Sequence, residues 1–572
     1  MSISVAVVLL SGSRVSIELD PDSRLEALRT KAEAALGTHL GKLITEAGAL
    51  LKNQGTLRQA GIRDGDTITA VAGHVAVAAS TSAFALIRTD GSVVTWGDPL
   101  SGGNSKDVQN QLQNVRHIQA NTGAFAALRE DGSVVTWGDE DRGGCSQRVQ
   151  RQLQDVRQIQ ASSEAFAAIK ADGSVVAWGH VDTGGTCREV QEQLKDVVSI
   201  VASDGAFAAL RADGVVVTWG SVNLGGDSSA VRSHLSHVLW LHGGPVGFAA
   251  VKAGGRVVYW GSDFDPDERI HGVYETGFQD IQQIEWFANS WVAVGSDGRM
   301  SIWGKYNISQ CQGVVGVKCL MDDPLRLEDC DDIGSAAVAL LSDGTAVAYG
   351  HPSQSSVGVQ EQLRQVVQIQ ATGDAFAAIR SDGSVVTWGL QGVGGCSRAV
   401  QMRLQRVRDI QASLFAFAAL RDDGQVVTWG DKALGGDSRS VQRQLRNVKC
   451  IQATEGAFAA IRGDGSVVTW GSSVDGGNSR KVRRQLGRTQ EDDQMEAEAK
   501  AEAKAEAKAK AKARAKAKAK AKAKAKAKAK AKPKAKPKAK PKAKVRAKAK
   551  AKPKPTPKAR PGPVPLKRPA KR

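Results

Sequence analysis

Apolar and polar residues alternate with different periods in different stretches of this chain. Residues 3–10, an apolar run, and residues 14–19, which alternate with a period of two, read as two strands, and Ser11-Gly12 marks a turn between them. Asp20-Pro21-Asp22-Ser23 then supplies caps, and Leu25, Leu28, Ala32 and Leu36 recur at helical spacing. Short strands are predicted around Leu43-Ile44 and Leu50-Leu51 and over residues 67–71. From residue 74 a longer rhythm takes over. A Trp-Gly pair recurs at Trp96, Trp137, Trp178, Trp219, Trp260, Trp303, Trp388, Trp429 and Trp470, and Tyr349-Gly350 fills the vacant slot, which makes ten units. Most steps are 41 residues, with 43, 46 and 39 around an irregular middle. Beyond Arg488 the apolar pattern is lost and Ala, Lys and Pro dominate.

Within a unit, residues 165–178 read Ala-Phe-Ala-Ala-Ile-Lys-Ala-Asp-Gly-Ser-Val-Val-Ala-Trp. Two β-prone runs flank Asp172-Gly173, a hairpin signal because glycine tolerates positive φ. A Val-x-x-Ile-x-Ala strand precedes the hairpin, and a Gly-Gly loop such as Gly143-Gly144 joins units. Val149, Leu153 and Val156 fall at i, i+4 and i+7 and predict one face of a short helix; the triplet returns at Val190, Leu194 and Val197 and at Val400, Leu404 and Val407. Such a unit cannot bury its apolar face alone, so neighbours must stack. The first unit lacks a preceding helix and the last, ending around Val482–Leu486, lacks a following strand. That complementarity predicts a ring closed by its own termini, which shields sheet edges; an open solenoid is the alternative.

Two resemblances follow from these residues. The head's order, ββαββ-β in about 70 residues, is that of a β-grasp fold. The runs Lys42-Leu-Ile-Thr-Glu-Ala-Gly-Ala-Leu-Leu, Gly55-Thr-Leu-Arg-Gln-Ala-Gly-Ile and Gly65-Asp-Thr-Ile resemble the second half of ubiquitin-like domains. The resemblance implies an apolar protein-binding patch for ubiquitin-recognition modules at Leu10, Ile44 and Val71, with Thr69 where the family carries histidine. The strand runs on through Ala72-Gly73-His74, so the head is expected to be a fixed recognition module and not a transferable tag. The recurring Ala-Phe-Ala-Ala-Leu/Ile…Asp-Gly-x-Val-x-x-Trp-Gly resembles the regulator-of-chromosome-condensation repeat. That family forms β-propellers, usually seven-bladed with longer repeats. Its members are exchange factors for a small nuclear GTPase, chromatin binders, or substrate-recognition parts of large ubiquitin ligases. The expected fold is therefore mainly β: residues 1–73 a ubiquitin-like head, 74–487 a propeller-like body and 488–572 a disordered basic tail.

Charge divides the chain in the same way. Residues 491–572 carry 32 Lys and Arg against 7 Asp and Glu, which leaves a net −6 for residues 1–490 out of the overall +19. From Lys508 onward there are 30 basic residues and no acidic one. Such a segment cannot form a core. Lysines spaced i, i+4 repel by roughly 0.2–0.5 kcal/mol per pair, and phosphates would remove that penalty. Prolines from Pro533 onward forbid a continuous helix. The composition resembles linker-histone tails. It implies binding of nucleic acid or another polyanion through Lys508, Lys510, Lys512, Arg514, Lys516, Lys518 and Lys520, and through Lys567, Arg568, Lys571 and Arg572, by counterion release without base readout. Residues 565–572 also suit a nuclear import signal, so the nucleus is the expected location and the cytoplasm the alternative.

The remaining chemistry is sparse. Seven cysteines form no CxxC pair, which suggests reduced thiols and no zinc site. The start of the chain is not a convincing signal peptide, and no run of 18 apolar residues exists. His234, His237 and His242 are the only histidine cluster; His234 and His237 could form a two-histidine metal pair on a helix, but no third ligand is evident. No nucleophile elbow, P-loop or HExxH motif is present. No enzyme activity, metal or cofactor is expected; a cysteine-transfer ligase is disfavoured because the last cysteine, Cys450, lies inside a repeat. Function is expected where the repeat breaks, at residues 239–350, which gain Trp240, Trp286, Trp291 and Tyr306 as an interface-like aromatic set. Beside them are the acidic pairs Asp322-Asp323, Glu328-Asp329 and Asp331-Asp332. Three functions are open: a chromatin- or nucleic-acid-associated scaffold, a ubiquitin-pathway adaptor or substrate-recognition subunit, and a GTPase exchange factor.

Overall fold

The computed structural model describes residues 2–9, 14–23, 25–36, 40–45, 51, 56–58, 60–72, 75–263, 265–287, 290–297, 299–304, 314–319, 336–341, 343–350 and 358–487, with isolated positions between 494 and 509. The chain divides into two compact units, Met1–Lys504 and Ala505–Arg572; of the second, only Ala505 and Ala509 are among the described residues.

The head is a four-stranded sheet over one helix. Ile3–Leu9 lies antiparallel to Arg14–Leu19 and parallel to Thr67–Ala72, which in turn pairs with Leu40–Thr45. Alternation places Val5, Val7, Leu43, Ile68 and Ala70 on the inner face, where helix Leu25–Leu36 buries Leu25, Leu28 and Ala32 against them. Asp20 accepts from the Asp22 amide through its side chain and from the Ser23 amide through its carbonyl, fixing the turn into the helix. Leu50 lies outside the described residues, while the Leu51 amide bonds to the Leu43 carbonyl at 2.8 Å.

Among the described residues the body is a sequence of ten sheets, nine of three strands and one of four. In the unit Val156–Ala161, Ala165–Lys170 and Val175–Gly179, Phe166 lies opposite Trp178. Their rings stack at 5.3 Å. The middle strand is covered on both faces, which is why it is built from Ala165, Ala167 and Ala168 around one Phe: larger residues would hold neighbouring sheets apart. Asp172-Gly173 closes the hairpin with Gly173 at φ +77. Ser174 donates to the Asp172 carboxylate through its amide at 3.0 Å and its hydroxyl at 2.6 Å.

Adjacent units are stitched at the indoles. Trp178 Nε1 donates to the Gly143 carbonyl of the preceding unit at 3.1 Å, and the same bond recurs from Trp137 to Gly102, Trp219 to Gly184, Trp260 to Gly225, Trp429 to Gly394 and Trp470 to Gly435. Gly143 sits against Phe166 so closely that a Cβ would come within 2.8 Å of the ring.

The predicted short helices are replaced by tighter turns. Gln150–Gln152 is a single 3-10 turn flanked by Val149 and Leu153, and Val156 already opens the next strand. The cause is Asp155, at φ +56, which reverses the chain between Leu153 and Val156. The other two triplets behave alike, around Arg188–Gln193 with Asp196 at φ +53 and Gln401–Arg403 with Arg406 at φ +56. The turn is held from outside: Gln150 Nε2 donates to the Val134 carbonyl at 2.9 Å.

The array closes. First strands touch from one unit to the next all the way round, and Val448–Ala453 meets Ala76–Ala79. Trp96 Nε1 donates to Gly476 O at 3.1 Å, and Ser82 Oγ to Asp475 at 2.7 Å. Leu486, on the turn after Arg480–Val482, is buried with Phe84, Trp96 and Ile461. The C-terminal turn thus supplies what the first unit lacks, and the open solenoid is excluded.

Candidate interaction surfaces

On the outer face of the head, register brings Val8, Thr69 and Ile44 side by side across three strands, with Arg14 beyond Val8. Val8, Thr69 and Ile44 are half-buried, on the face opposite the core residues Val7, Ile68, Ala70 and Leu43. Of the three expected patch residues, Ile44 lies in this row. Val71 is two positions along the same strand as Thr69, with its side chain outside the described residues, and Leu10 is outside them altogether. Val8 was not singled out from the sequence; the strand period that buries Val5 and Val7 already turns Val8 outward.

The irregular arc does not expose its aromatic set as expected. Trp286 and Trp291 are buried and meet edge to face at 4.9 Å, in one core with Val246, Ile284 and Trp303. Trp240 is half-buried against that core, and Tyr306 lies outside the described residues, as do the three acidic pairs. The physical reason is volume. The ring's sixth unit lacks the Ala-Phe-Ala-Ala strand: Ser290–Gly295 reads Ser-Trp-Val-Ala-Val-Gly, Trp291 takes the position opposite Trp303 that Phe holds elsewhere, and Trp286 packs against it. An added strand, Asp265–Glu275, replaces the outer turn after Trp260, and Tyr274 stacks on Trp303 at 4.6 Å. His242 is edge-on to Trp291 at 6.1 Å; burial pushes its pKa below the usual histidine value, and Glu285 opposes that shift.

The two ends of the ring are built differently. At one end, the Asp-Gly turns neutralise themselves: Arg129 pairs with Asp131, Lys170 with Asp172, Arg211 with Asp213 and Arg462 with Asp464. Hydrogen bonds from Ser133 and Ser174 hold the Asp131 and Asp172 carboxyls below the ordinary aspartate range. At the other end the backbone forms a directional belt. The amides of Thr81, Thr122, Ser163 and Asp204 each donate to the carbonyl of the next unit, those of Gly373 and Leu414 do the same, and Glu455 returns the bond to Thr81. Within the belt a cavity of about 480 Å³ is lined by Ser80, Asn121, Ser162, Ser203 and their neighbours. The 41-residue recurrence of Thr81, Thr122, Ser163 and Asp204 was the available sequence signal for this belt.

No group of histidine, cysteine and carboxylate side chains able to hold a metal occurs among the described residues. His234 ends an outer turn, where its carbonyl accepts from Lys252 Nζ at 2.8 Å. Cys187 is buried, its thiol pushed up by desolvation, and it takes the place of a repeat serine by bonding Gln191 at 3.2 Å. No helix among the described residues is long and apolar enough to cross a membrane. The tail residues Lys508, Lys510, Lys512, Arg514, Lys516, Lys518, Lys520, Lys567, Arg568, Lys571 and Arg572 all lie outside the described residues.

Neither a protein-family model nor a curated protein matches the chain. Similar solved structures include Prp20p from Saccharomyces cerevisiae, described with its binding to Gsp1p and histones, at 15% identity over 57% of this chain and 84% of that one, with a TM-score of 0.30. The ubiquitin-like domain of Plasmodium falciparum Dsk2 is 23% identical over 13% of this chain and 99% of its own, with a TM-score of 0.12. A ubiquitin from Caldiarchaeum subterraneum is 26% identical over 13% of this chain and 98% of its own, also with a TM-score of 0.12.

Proposed function

We propose that this chain is a non-enzymatic interaction scaffold of the nucleus, anchored to nucleic acid by its basic tail while the ring and head recruit proteins. One observation carries this reading: 30 cations without an acid follow a ring that completes its core without them. A tail not needed to close the fold is free to trade its counterions for phosphates. The test compares duplex DNA binding by the full chain and by a chain ending at Ala507 over a salt series. The full chain should lose about 10³-fold or more in affinity between 50 and 200 mM salt, as expected for six or more phosphate contacts. Equal binding by the shortened chain would remove the anchor.

A second role, adaptor of the ubiquitin pathway, is supported by the half-buried row Val8, Thr69 and Ile44 on the outer face of the head. Capture of a helical ubiquitin-recognition module, lost on Ile44→Ala, is the expected outcome; retention in the variant would reject it.

A further inference from the structure

The turns that follow the Trp-Gly pairs lie at the belt end of the ring. Ser80 Oγ donates to the Ser101 carbonyl at 2.8 Å, Asn121 Nδ2 to that of Arg142 at 2.7 Å, Ser162 Oγ to that of Thr183 at 2.9 Å and Ser203 Oγ to that of Leu224 at 2.7 Å. Each belt loop thus carries the turn of its own unit. The tips of these turns are apolar where contact with water favours polar side chains. Among the described residues ten large apolar side chains are exposed, and five of them are turn tips: Leu100, Val181, Val222, Leu390 and Val474. Leu100 is 79% exposed and Val181 61%. Packing within the ring does not require them, because the second unit places Glu140 and Asp141 at the same tip. Apolar side chains grouped on neighbouring turns mark an interaction site more than a scatter of single ones would.

The same turns are acidic. Residues 98–103, 139–144, 180–185, 221–226, 390–395, 431–436 and 472–477 hold seven Asp and Glu against Arg142 and Lys432. Glu140, Asp141 and Asp182 are exposed, and the one Arg or Lys on their two turns, Arg142, is spent on Asp139 and Glu164 at 3.4 Å each. The cavity of about 480 Å³ lies among the belt loops that carry this arc, with Ala79, Ala120, Ala161 and Ala202 in its wall. Thr81, Thr122 and Ser163 spend their hydroxyls as well as their amides on carbonyls of the next unit, so these donors are not offered to an anion. Arg142 shows how a guanidinium fits here: its Nη1 donates to Thr122 Oγ1 at 3.2 Å while its Nε faces two carboxylates. In the first and third units the corresponding residues are Ser101 and Thr183, so the repeat supplies no cation of its own at those places.

We infer that the belt end of the first four units is a docking surface for an extended basic segment of a partner protein, one in which arginines alternate with aliphatic residues. The aliphatic side chains cover Leu100, Val181 and Val222, and the guanidiniums meet Glu140, Asp141 and Asp182 as Arg142 meets Asp139 and Glu164. The inference rests on the reading of the ring as a recruiting surface, and not on the tail's hold on nucleic acid.

The full chain is titrated with a labelled peptide of repeated Arg-Leu-Ala, and with two relatives in which serine replaces leucine or glutamate replaces arginine. The first peptide should bind about tenfold more tightly than either relative. Leu100→Ser, Val181→Ser and Val222→Ser combined should weaken it about tenfold. Glu140→Gln, Asp141→Asn and Asp182→Asn combined should weaken it by a similar factor. All six side chains are exposed, so the fold is expected to hold, as a denaturation curve will check. Equal affinity for the three peptides, or unchanged affinity in either variant, overturns the inference. Binding that appears only in the chain ending at Ala507 assigns the surface to the cationic tail of a copy of this chain and overturns the partner. Duplex DNA is the separating control. No DNA binding by the full chain rejects the anchor while peptide binding still upholds the belt end, and the reverse result rejects the belt end alone.

Discussion

The regular arc of the ring and its irregular arc solve the same packing problem with different parts. In the regular units a Phe and a Trp stack at 5.1–5.5 Å, and the indole N–H meets a glycine carbonyl 35 residues earlier. In the irregular arc Trp303 keeps its place but its buried Nε1 meets no acceptor among the described residues, and the same holds for Trp388, the first indole after the arc. Those two positions look back to residues 268 and 353, where the sequence has Glu and Ser instead of the Gly-Gly loop. The stitch is thus a property of the spacing between two units and not of the tryptophan. Where the spacing first changes, from 41 to 43, the ring is held by bulk: Trp286, Trp291, Tyr274 and Trp303 pack as a cluster. An unpaired buried donor costs about 1–3 kcal/mol, so the irregular arc should be the softer one.

The sharpest way to break this contrast is Trp178→Ala, which removes a buried indole, its stack on Phe166 and its bond to Gly143. A loss of about 3–5 kcal/mol is expected by chemical denaturation. Trp303→Phe should cost about 1 kcal/mol, less than Trp178→Phe, because its N–H meets no acceptor among the described residues; equal losses in the two Phe variants would erase the distinction. Next in size is Gly143→Ala, whose Cβ would strike Phe166 at φ +91 and should cost about 2–3 kcal/mol. Gly254→Ala has a similar φ of +74 and no neighbour within 4 Å, and should cost only about 1 kcal/mol. Gln365→Asn should stabilise by about 0.5 kcal/mol: its φ of +57 is that of Asn114 and Asn447 in other units, and asparagine tolerates this conformation better.

The smallest effect depends on pH. His242 stands where other units carry Gln119, Gln160, Gln370, Gln411 and Gln452. Burial depresses its pKa from 6.5, so the unfolded chain takes up a proton before the folded one does. Stability should therefore be full above pH 6.5 and decline as pH falls below it, with the loss complete only below the folded pKa. Denaturation at pH 7.5 and 5.5 should show this decline in the native chain, and His242→Gln should flatten it. A decline of equal size in both chains would assign it to other groups.

Much of this was legible in one sequence because the repeat supplied its own comparison. The Trp, Phe and Asp-Gly positions stand out at 41-residue intervals, and the complementary ends foretold closure. The outer turns were misjudged because i, i+4, i+7 spacing is blind to a left-handed residue between its members, here Asp155, Asp196 and Arg406. A string of apolar letters also cannot say whether an aromatic faces solvent or a gap: Trp286 and Trp291 fill the space that smaller repeat residues leave.

Closure has a consequence for how the protein is made. Ser82 and Trp96 find their partners in Asp475 and Gly476, some 390 residues later in the chain. At 5–20 residues per second, synthesis leaves the first blade waiting roughly 20–80 s for the last. Through that interval Phe84 and Trp96 present an open apolar flank beside the emerging chain. Every later blade offers a similar but mismatched edge, so the nascent ring must avoid closing early on the wrong unit. The ribosome's pace, and any holdase that covers that flank, therefore bears on the yield of correctly closed rings.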